Sequence, residues 1–359
     1  MDSPALHQRS RAFVTAFERG SAPPESFEAL ACDLARFQAS HNPGYRRLCE
    51  ARGVRLESLT RAIDAPAVPT DVFKLSRVST FAENETVARF RTSGTTEGSA
   101  SRGEHAFRTT QTYDLGALAF GRHWLFRDLE QRVPFVVLGP SPEELGDSSL
   151  MHMIGAFAER FASECTFAIQ KGELRMDLLT KELTRHREGG PVAVLGTSFA
   201  FVHMLDELGP HSLPLPPNSR VMQTGGFKGK SREVEKEELV GLLARAFALS
   251  PTRIVSEYGM TELSSQFYEQ TLFSDAPSGV YAEPPWARIV PVDPETLLPL
   301  PLGDVGIARI EDLANVDSAF AVLTQDRVRR VPGGFQLLGR SPGAPARGCS
   351  IAIDEMLGA

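Results

Sequence analysis

Through the first 85 residues the apolar positions recur at helical spacing, most clearly in Phe27, Leu30, Leu34 and Phe37. The pattern predicts helices over 4–19 and 24–40 and a shorter piece over 45–51. Pro66-Ala67-Val68-Pro69-Thr70 ends that texture, and Val87-Ala88-Arg89-Phe90-Arg91 reads as a strand. From about 86 to 275, short strand-like runs at 134–138, 192–195, 220–224 and 253–256 alternate with helical stretches at 109–130, 150–163, 176–187 and 231–248. Strands separated by helices pair in parallel, so the expected fold is α/β with parallel sheet between helical layers. Past Ser274, prolines and turns space out short strands at 287–292, 306–311, 320–324 and 334–338. The expected organisation is a helical segment over 1–85, an α/β core over 86–275, a β-rich subdomain over 276–339 and a short C-terminal stub over 340–359.

Composition narrows the possible classes. A chain of 359 residues, 42% hydrophobic, buries a large core. Thirty-eight basic against 45 acidic side chains give a net charge of −7, which points away from nucleic acid as a partner. No run approaches the roughly 18 apolar residues of a membrane span, and the first residues lack the apolar core of a signal peptide, so a cytoplasmic location is expected. Cys32, Cys49, Cys165 and Cys349 lie far apart, with no Cys-x-x-Cys pair and no clustered histidine, which favours neither a disulfide framework nor a zinc site. Lysines are few: Lys74, Lys171, Lys181, Lys228, Lys230 and Lys236.

The candidate chemistry begins at Thr92-Ser93-Gly94-Thr95-Thr96-Glu97-Gly98, where a strand should end and before the helical pattern resumes near Thr109. Gly94 and Gly98 let backbone N–H groups approach an anion, and Ser93, Thr95 and Thr96 add hydroxyl donors, so a strand-to-helix loop of this make-up suits phosphate. It is not the nucleoside triphosphatase loop, because no lysine stands at the required spacing. Three more polar or glycine clusters fall at expected strand ends: Gly196-Thr197-Ser198-Phe199, Thr224-Gly225-Gly226-Phe227 and Tyr258-Gly259-Met260-Thr261-Glu262. In α/β sheets that is the edge where ligands bind.

The ordered set Thr92-Ser93-Gly94-Thr95-Thr96, Gly225-Gly226, Tyr258-Gly259-Met260-Thr261-Glu262, Thr324-Gln325-Asp326 and Gly339-Arg340 resembles the adenylate-forming superfamily. Within it, Gly333-Gly334-Phe335 and Arg347-Gly348-Cys349-Ser350 resemble the acyl-protein synthetase family. The resemblance implies the large adenylating domain with a truncated C-terminal domain, and an ATP- and Mg²⁺-dependent ligase that turns a carboxylic acid into its acyl-AMP. The acyl group then passes to a thiol, on the enzyme itself, a partner protein, CoA or a carrier protein. It also implies roles: the 92–98 loop on the β- and γ-phosphates, Thr261 on the α-phosphate and Glu262 on Mg²⁺. Tyr258 and Gly259, with Gly225 and Gly226, would enclose the adenine, Asp326 and Arg340 would hold the ribose, and Cys349 would accept the acyl group.

The chain departs from the family pattern in two places. The family's loop carries a lysine after its glycines, whereas here Glu97 intrudes and Ser99-Ala100-Ser101-Arg102 follows, so Arg102 is either the phosphate's counter-charge or a solvated loop residue. Lys228 and Lys230 are a second source of charge or the solvated start of a helix. Only nineteen residues follow Arg340 and none is lysine. Cys349 is either the acceptor, its pKa lowered by Arg347 and its approach permitted by the 341–345 segment, or a free thiol in a terminal strand over 349–353. His105, which follows the loop, is either a contact to phosphate or substrate or, the preferred reading, a surface histidine; His203 reads as structural, and His123 and Trp124 as core with Leu118, Phe120, Leu125 and Phe126. Cys32 and Cys165 read as core. An acyl-CoA or acyl-carrier-protein ligase, and a nucleotide-binding subunit that has lost catalysis, remain as alternatives.

Overall fold

The computed structural model describes residues 2–92, 102–225, 234–341 and 347–358. Three helices lead: α1 (Ser3–Glu18), α2 (Phe27–His41) and α3 (Pro43–Ala51). Each starts on a side-chain cap, with Asp2 accepting from Ala5 N–H, Ser26 from Ala29 N–H and Asn42 from Tyr45 N–H. The Ser26 cap is why α2 begins at Phe27 rather than at Pro24. Leu6, Phe13, Leu30 and Leu34 are buried on the inward faces, as their spacing requires.

The strand β1 (Val68–Pro69) and the one-turn helix α4 (Val72–Leu75) come next, then β2 (Ala88–Arg91) and β3 (Glu104–Phe107). The last two pair antiparallel, Phe90 opposite His105 and Arg91 opposite Glu104. The loop singled out above therefore joins two strands of a hairpin, not a strand to a helix. The deciding interaction is local: Phe90 and Phe107 pack with ring centroids 5.1 Å apart, so the short β3 is held by its apolar alternate positions. The expected long helix at 109–130 is α5 (Gln111–Gly121) followed by a π-helical turn over Arg122–Phe126. In that turn Leu125 and Phe126 are buried, while His123 and Trp124 are half-buried at the core's margin.

The alternation then runs β4 (Val133–Leu138), α6 (Ser149–Phe161), β5 (Ala162–Phe167), the small hairpin β6 (Ile169–Gln170) and β7 (Glu173–Leu174), α7 (Met176–Arg185), β8 (Ala193–Thr197), α8 (Ser198–Leu208), β9 (Arg220–Thr224), α9 (Lys236–Phe247) and β10 (Ile254–Tyr258). Strands β5, β4, β8, β9 and β10 are parallel neighbours in that order. Val137, Met222 and Val255 pack in the same cluster as Phe120 and Phe157, from α5 and α6. Val136, Val194, Val221 and Ile254 pack with Leu179, Phe201, Leu243 and Phe247, from α7, α8 and α9. Burial on both faces is why these strands read as unbroken apolar runs. Cys165 lies on the outer strand β5 and is half-buried, packing against the core from its margin, while Cys32 is fully enclosed.

Past β10 the same sheet continues antiparallel through β11 (Phe267–Glu269) and β12 (Val280–Ala282). It goes on through β13 (Ala287–Val292), β14 (Val305–Asp312), β15 (Ala321–Val331) and β16 (Gly334–Arg340), in the spatial order β12-β16-β15-β14-β13. The strand expected to stop at Thr324 continues to Val331, so Gln325 and Asp326 lie within a strand rather than in a turn, at a register shift opposite Arg340. Strand β1 pairs in parallel with β15, Val68 opposite Val322. The chain closes with α10 (Arg347–Leu357), a helix where a terminal strand was expected. Cys349-Ser350-Ile351-Ala352-Ile353 alternates like a strand, but Cys349, Ala352 and Met356 are the buried residues, and that spacing is helical. The helix α10 packs on α3, with Arg47 donating to Met356 O at 2.7 Å and Arg52 paired with Glu355 at 2.6 Å.

Candidate active site

The parallel register brings the carboxyl ends of three strands level, Thr197 opposite Thr224 and Thr224 opposite Glu257. The polar clusters after β8, β9 and β10 thus share one edge. Gly225 follows β9 with φ +77°, a conformation that glycine adopts without strain, and a Cβ there would meet nothing within 4 Å. Its carbonyl accepts from Ser198 Oγ at 2.8 Å, and Ser198 also bonds Gln223, whose amide donates to Ser256 Oγ at 2.7 Å. A buried polar chain therefore fixes the peptide that opens the Gly225 turn. Gly226 and Lys228, Lys230 lie outside the described residues, as do Ser93, Gly94, Thr95 and Thr96.

Two further corners reach this edge. From β15, Asp326 accepts a hydrogen bond from the Tyr258 hydroxyl at 2.8 Å. Arg340, its register partner on β16, is 62% exposed with Nε 4.0 Å from the same carboxylate. Burial, reinforced by the Asp326 charge, pushes the Tyr258 phenol well above its ordinary pKa, so it stays a donor. From the hairpin, His105 on β3 places Nδ1 2.8 Å from Thr261 O. The carbonyl only accepts, so Nδ1 carries the proton. His105 is 2% exposed, against Phe107 at 4.1 Å between centroids, and burial pushes its pKa down to about 4. The surface histidine expected from sequence is a buried, neutral tie between hairpin and turn.

The 261–265 turn is held from a second side. Asn315 Nδ2 donates to Glu262 O at 2.8 Å, and Asp312 accepts from Ser264 N–H at 2.9 Å and Ser265 Oγ at 2.7 Å. Burial raises Asp312 to about 6 despite those donors. Glu262 is 6% exposed, and its charge reaches Tyr258. Glu257 is buried behind Gly259, where a Cβ would strike its carboxyl. It bonds the Thr224 hydroxyl, and burial raises it to about 7. His105, weighed against a contact with phosphate or substrate, reads from sequence as a surface histidine, and Asn315, Asp312 and Glu257 are not legible as site residues. The alternation Glu104-His105-Ala106-Phe107, with its inward His105, was the available signal for the first.

Two residues sit differently from expectation. Arg102 closes the base of the hairpin, Nε donating to Thr92 O at 2.7 Å and Nη1 paired with Asp147 at 3.0 Å, while Thr92 Oγ1 accepts from Gly103 N–H. Its charge is already compensated. Cys349 is 2% exposed, and burial, with the charge of Asp71 behind it, pushes its thiol up to about 11, the opposite of the lowering expected from Arg347. The Arg347 side chain and residues 342–346 lie outside the described residues. Asp71 is also the acceptor of Gln325 Nε2 at 2.9 Å, so Cys349 stands near the strand that carries Asp326. His203 is exposed on α8.

Comparison with known proteins identifies the family and the fold. The family model described as acyl-protein synthetase, LuxE, matches residues 25–358. The long-chain-fatty-acid–luciferin-component ligase of Vibrio harveyi is 24% identical over 334 residues, 89% of this chain and 85% of that protein. An open 2-hydroxyisobutyryl-CoA ligase, in complex with 2-HIB-AMP and CoA, superposes with a TM-score of 0.60 at 17% identity over 86% of this chain and 73% of the other. ATP-bound MatB from Rhodopseudomonas palustris does so at 0.50 and 14% identity over 73% of this chain, which spans about half (49%) of its length. These likenesses establish the adenylate-forming fold. With polar clusters gathered at the carboxyl edge of that fold and the family model matched over residues 25–358, the chain belongs to the acyl-protein synthetase family, ligases that activate an acid as its acyl-adenylate and transfer the acyl group.

Proposed function

We propose that the cleft between the β2–β3 hairpin, the 258–262 turn and β15 binds ATP with Mg²⁺, joins a carboxylic acid to the α-phosphate and releases pyrophosphate in the cytoplasm. The observation that carries this reading is the double tie at the turn: Tyr258 to Asp326 at 2.8 Å and Thr261 to His105 at 2.8 Å. Three separate stretches of sequence are thereby brought to one place. Asp326, held by the phenol and flanked by Arg340, accepts from the ribose hydroxyls. The Tyr258 ring, the Gly259 backbone and the open space over Gly225 bracket the adenine, with Gly226 assigned to the same contact. Thr92, with the loop from Ser93 to Thr96 and the compensated Arg102 at its base, receives the outer phosphates, and Thr261 the inner one. Glu262, a buried carboxylate beside a threonine hydroxyl, offers the oxygen donors that a hard cation takes. Mg²⁺ held there would supply charge neutralisation as the nucleotidyl group is transferred.

Adenylation places two anions in contact, so its rate depends on donors already in position and not on their rearrangement during the reaction. The clamp on the 261–265 backbone provides that order. The names of relatives direct the acid panel first to long-chain fatty acids. Acid-dependent exchange of labelled pyrophosphate into ATP tests the reading. Exchange with at least one acid is expected, and none across fatty, aryl and amino acids refutes it.

In the second half-reaction the Cys349 thiolate attacks the acyl carbonyl and AMP leaves, the thiol proton passing to solvent. A hydroxylamine-sensitive acyl label that vanishes in Cys349→Ala is expected, and a label persisting elsewhere removes Cys349 from the path. The enclosure and raised pKa of Cys349 favour a second reading, in which an external thiol such as CoA or a carrier protein's phosphopantetheine takes the acyl group. Turnover of the adenylate by free CoA or by the carrier alone selects it.

A further inference from the structure

The segment from β1 to α4 has no part in the reading above, yet it is wedged among three components of the cleft. Thr70 N–H donates to Leu323 O at 3.0 Å, and Gln325, next to Asp326, donates to Asp71 Oδ2. Phe73 lies edge-on to His105 with ring centroids 5.9 Å apart. The stem of Lys74 rests on the base of the hairpin, where a Cβ built on Gly103 would come 3.4 Å from Lys74 Cγ and 3.2 Å from the Thr92 methyl. Its ammonium lies 2.7 Å from Asp71 Oδ1, and the side chain is 40% exposed. A cation on a flexible stem is thus seated between the hairpin and the strand of Asp326, with a counter-ion that the same strand orients.

Joining a carboxylate to a phosphate ester concentrates negative charge between two anions, and a cation that meets that charge lowers the barrier. Arg102 is committed to Thr92 and Asp147, and Arg340 is largely exposed, 4.0 Å from Asp326. We propose that Lys74 is a catalytic residue: with ATP and acid bound, its ammonium turns from Asp71 toward the oxygens between the α-phosphate and the attacking carboxylate. The carboxylate–phosphorus bond forms as the bond to pyrophosphate breaks, and Lys74 keeps its proton throughout. Asp71 is the resting counter-ion that aims the ammonium. This inference rests on the adenylation reading.

The test uses the full chain with Lys74→Met, Lys74→Arg and, as a charge-loss control, Lys181→Met on the exposed side of α7. In pyrophosphate–ATP exchange, Lys74→Met is expected to lose about 100-fold in kcat. The KM for ATP stays within about threefold, the melting temperature is unchanged, Lys74→Arg recovers part of the rate and Lys181→Met matches the parent. Lys74→Met at parental kcat overturns the proposal, as does a loss confined to KM, which marks a uniform binding contact. A melting temperature that falls in step with activity overturns it as well, in favour of a structural role. No exchange by the unsubstituted enzyme sinks the adenylation reading and this proposal with it, whereas a fully active Lys74→Met sinks this proposal alone.

Discussion

Substituting His105 separates what its hydrogen bond does from what its burial does. The ring is packed by Phe107 and Phe73 and bonds Thr261 O at 2.8 Å. Burial takes its pKa from 6.5 to about 4, the carbonyl opposing only part of the fall. Between those two values the unfolded chain holds a proton that the folded chain does not. The stability tied to the neutral ring is therefore complete above pH 6.5 and lost as pH falls toward 4, about 3 kcal/mol in all. Glu257 and Asp312 act with the opposite sign, because burial raises them to about 7 and about 6, so they favour the folded state as pH falls. The protein's overall pH curve conceals the histidine for that reason, and a difference between variants reveals it. His105→Asn keeps an amide donor where Nδ1 stood and cannot titrate. Urea midpoints measured between about pH 4.5 and 7.5 should show the parent losing roughly 2–3 kcal/mol relative to His105→Asn as pH falls. His105→Leu instead strands the Thr261 carbonyl, a pH-independent cost of about 1–3 kcal/mol. It also frees the turn, so its exchange kcat should drop about tenfold or more while the asparagine variant stays within a few-fold. A flat parent-minus-Asn difference across pH, or a leucine variant with parental kcat, would refute the reasoning.

Three shorter predictions follow from the same cleft. Tyr258→Phe removes a hydrogen bond to a charged carboxylate, worth about 1.5–3 kcal/mol; ATP titrations should show KM raised about tenfold or more, and an unchanged KM takes the Tyr258–Asp326 pair out of the nucleotide site. Glu262→Gln should raise the Mg²⁺ concentration that half-saturates exchange and recover activity in excess Mg²⁺, and a coincident Mg²⁺ curve would exclude it as a ligand. With its thiol pushed up to about 11, Cys349 is thiolate to only about one part in 10⁴ at pH 7. Iodoacetamide labelling in the absence of substrates, followed by peptide mass spectrometry, should be slow and steepen with pH; rapid labelling at pH 7 contradicts the enclosed helix.

The doubly buried strands were legible because both of their faces are apolar, and 220–224 coincides with β9 to the residue. The terminal helix was misread because five residues satisfy both periods: Ile351 is 41% exposed while Cys349 and Ala352 are enclosed, and the packing on α3 and β1 decides between them. The hairpin escaped notice for a related reason, its second strand being four residues long and stabilised by a ring on its partner. At the site, glycines and hydroxyls betray themselves in sequence because they serve locally. His105, Asn315 and Lys74 serve by reaching other segments, and the separation of 156 residues between His105 and Thr261 leaves no trace in spacing.

The pairing of β1 with β15 also carries a cost in time. Val68 and Pro69 find their partners at Val322 and Leu323, 254 residues further along the chain. At a synthesis rate of roughly 5–20 residues per second, the first segment waits some tens of seconds on the ribosome for the strand that receives it. Throughout that interval the apolar faces of the leading helices depend on chaperone cover or provisional contacts. The entropy of closing so long a loop then makes this late docking a natural slow step of maturation.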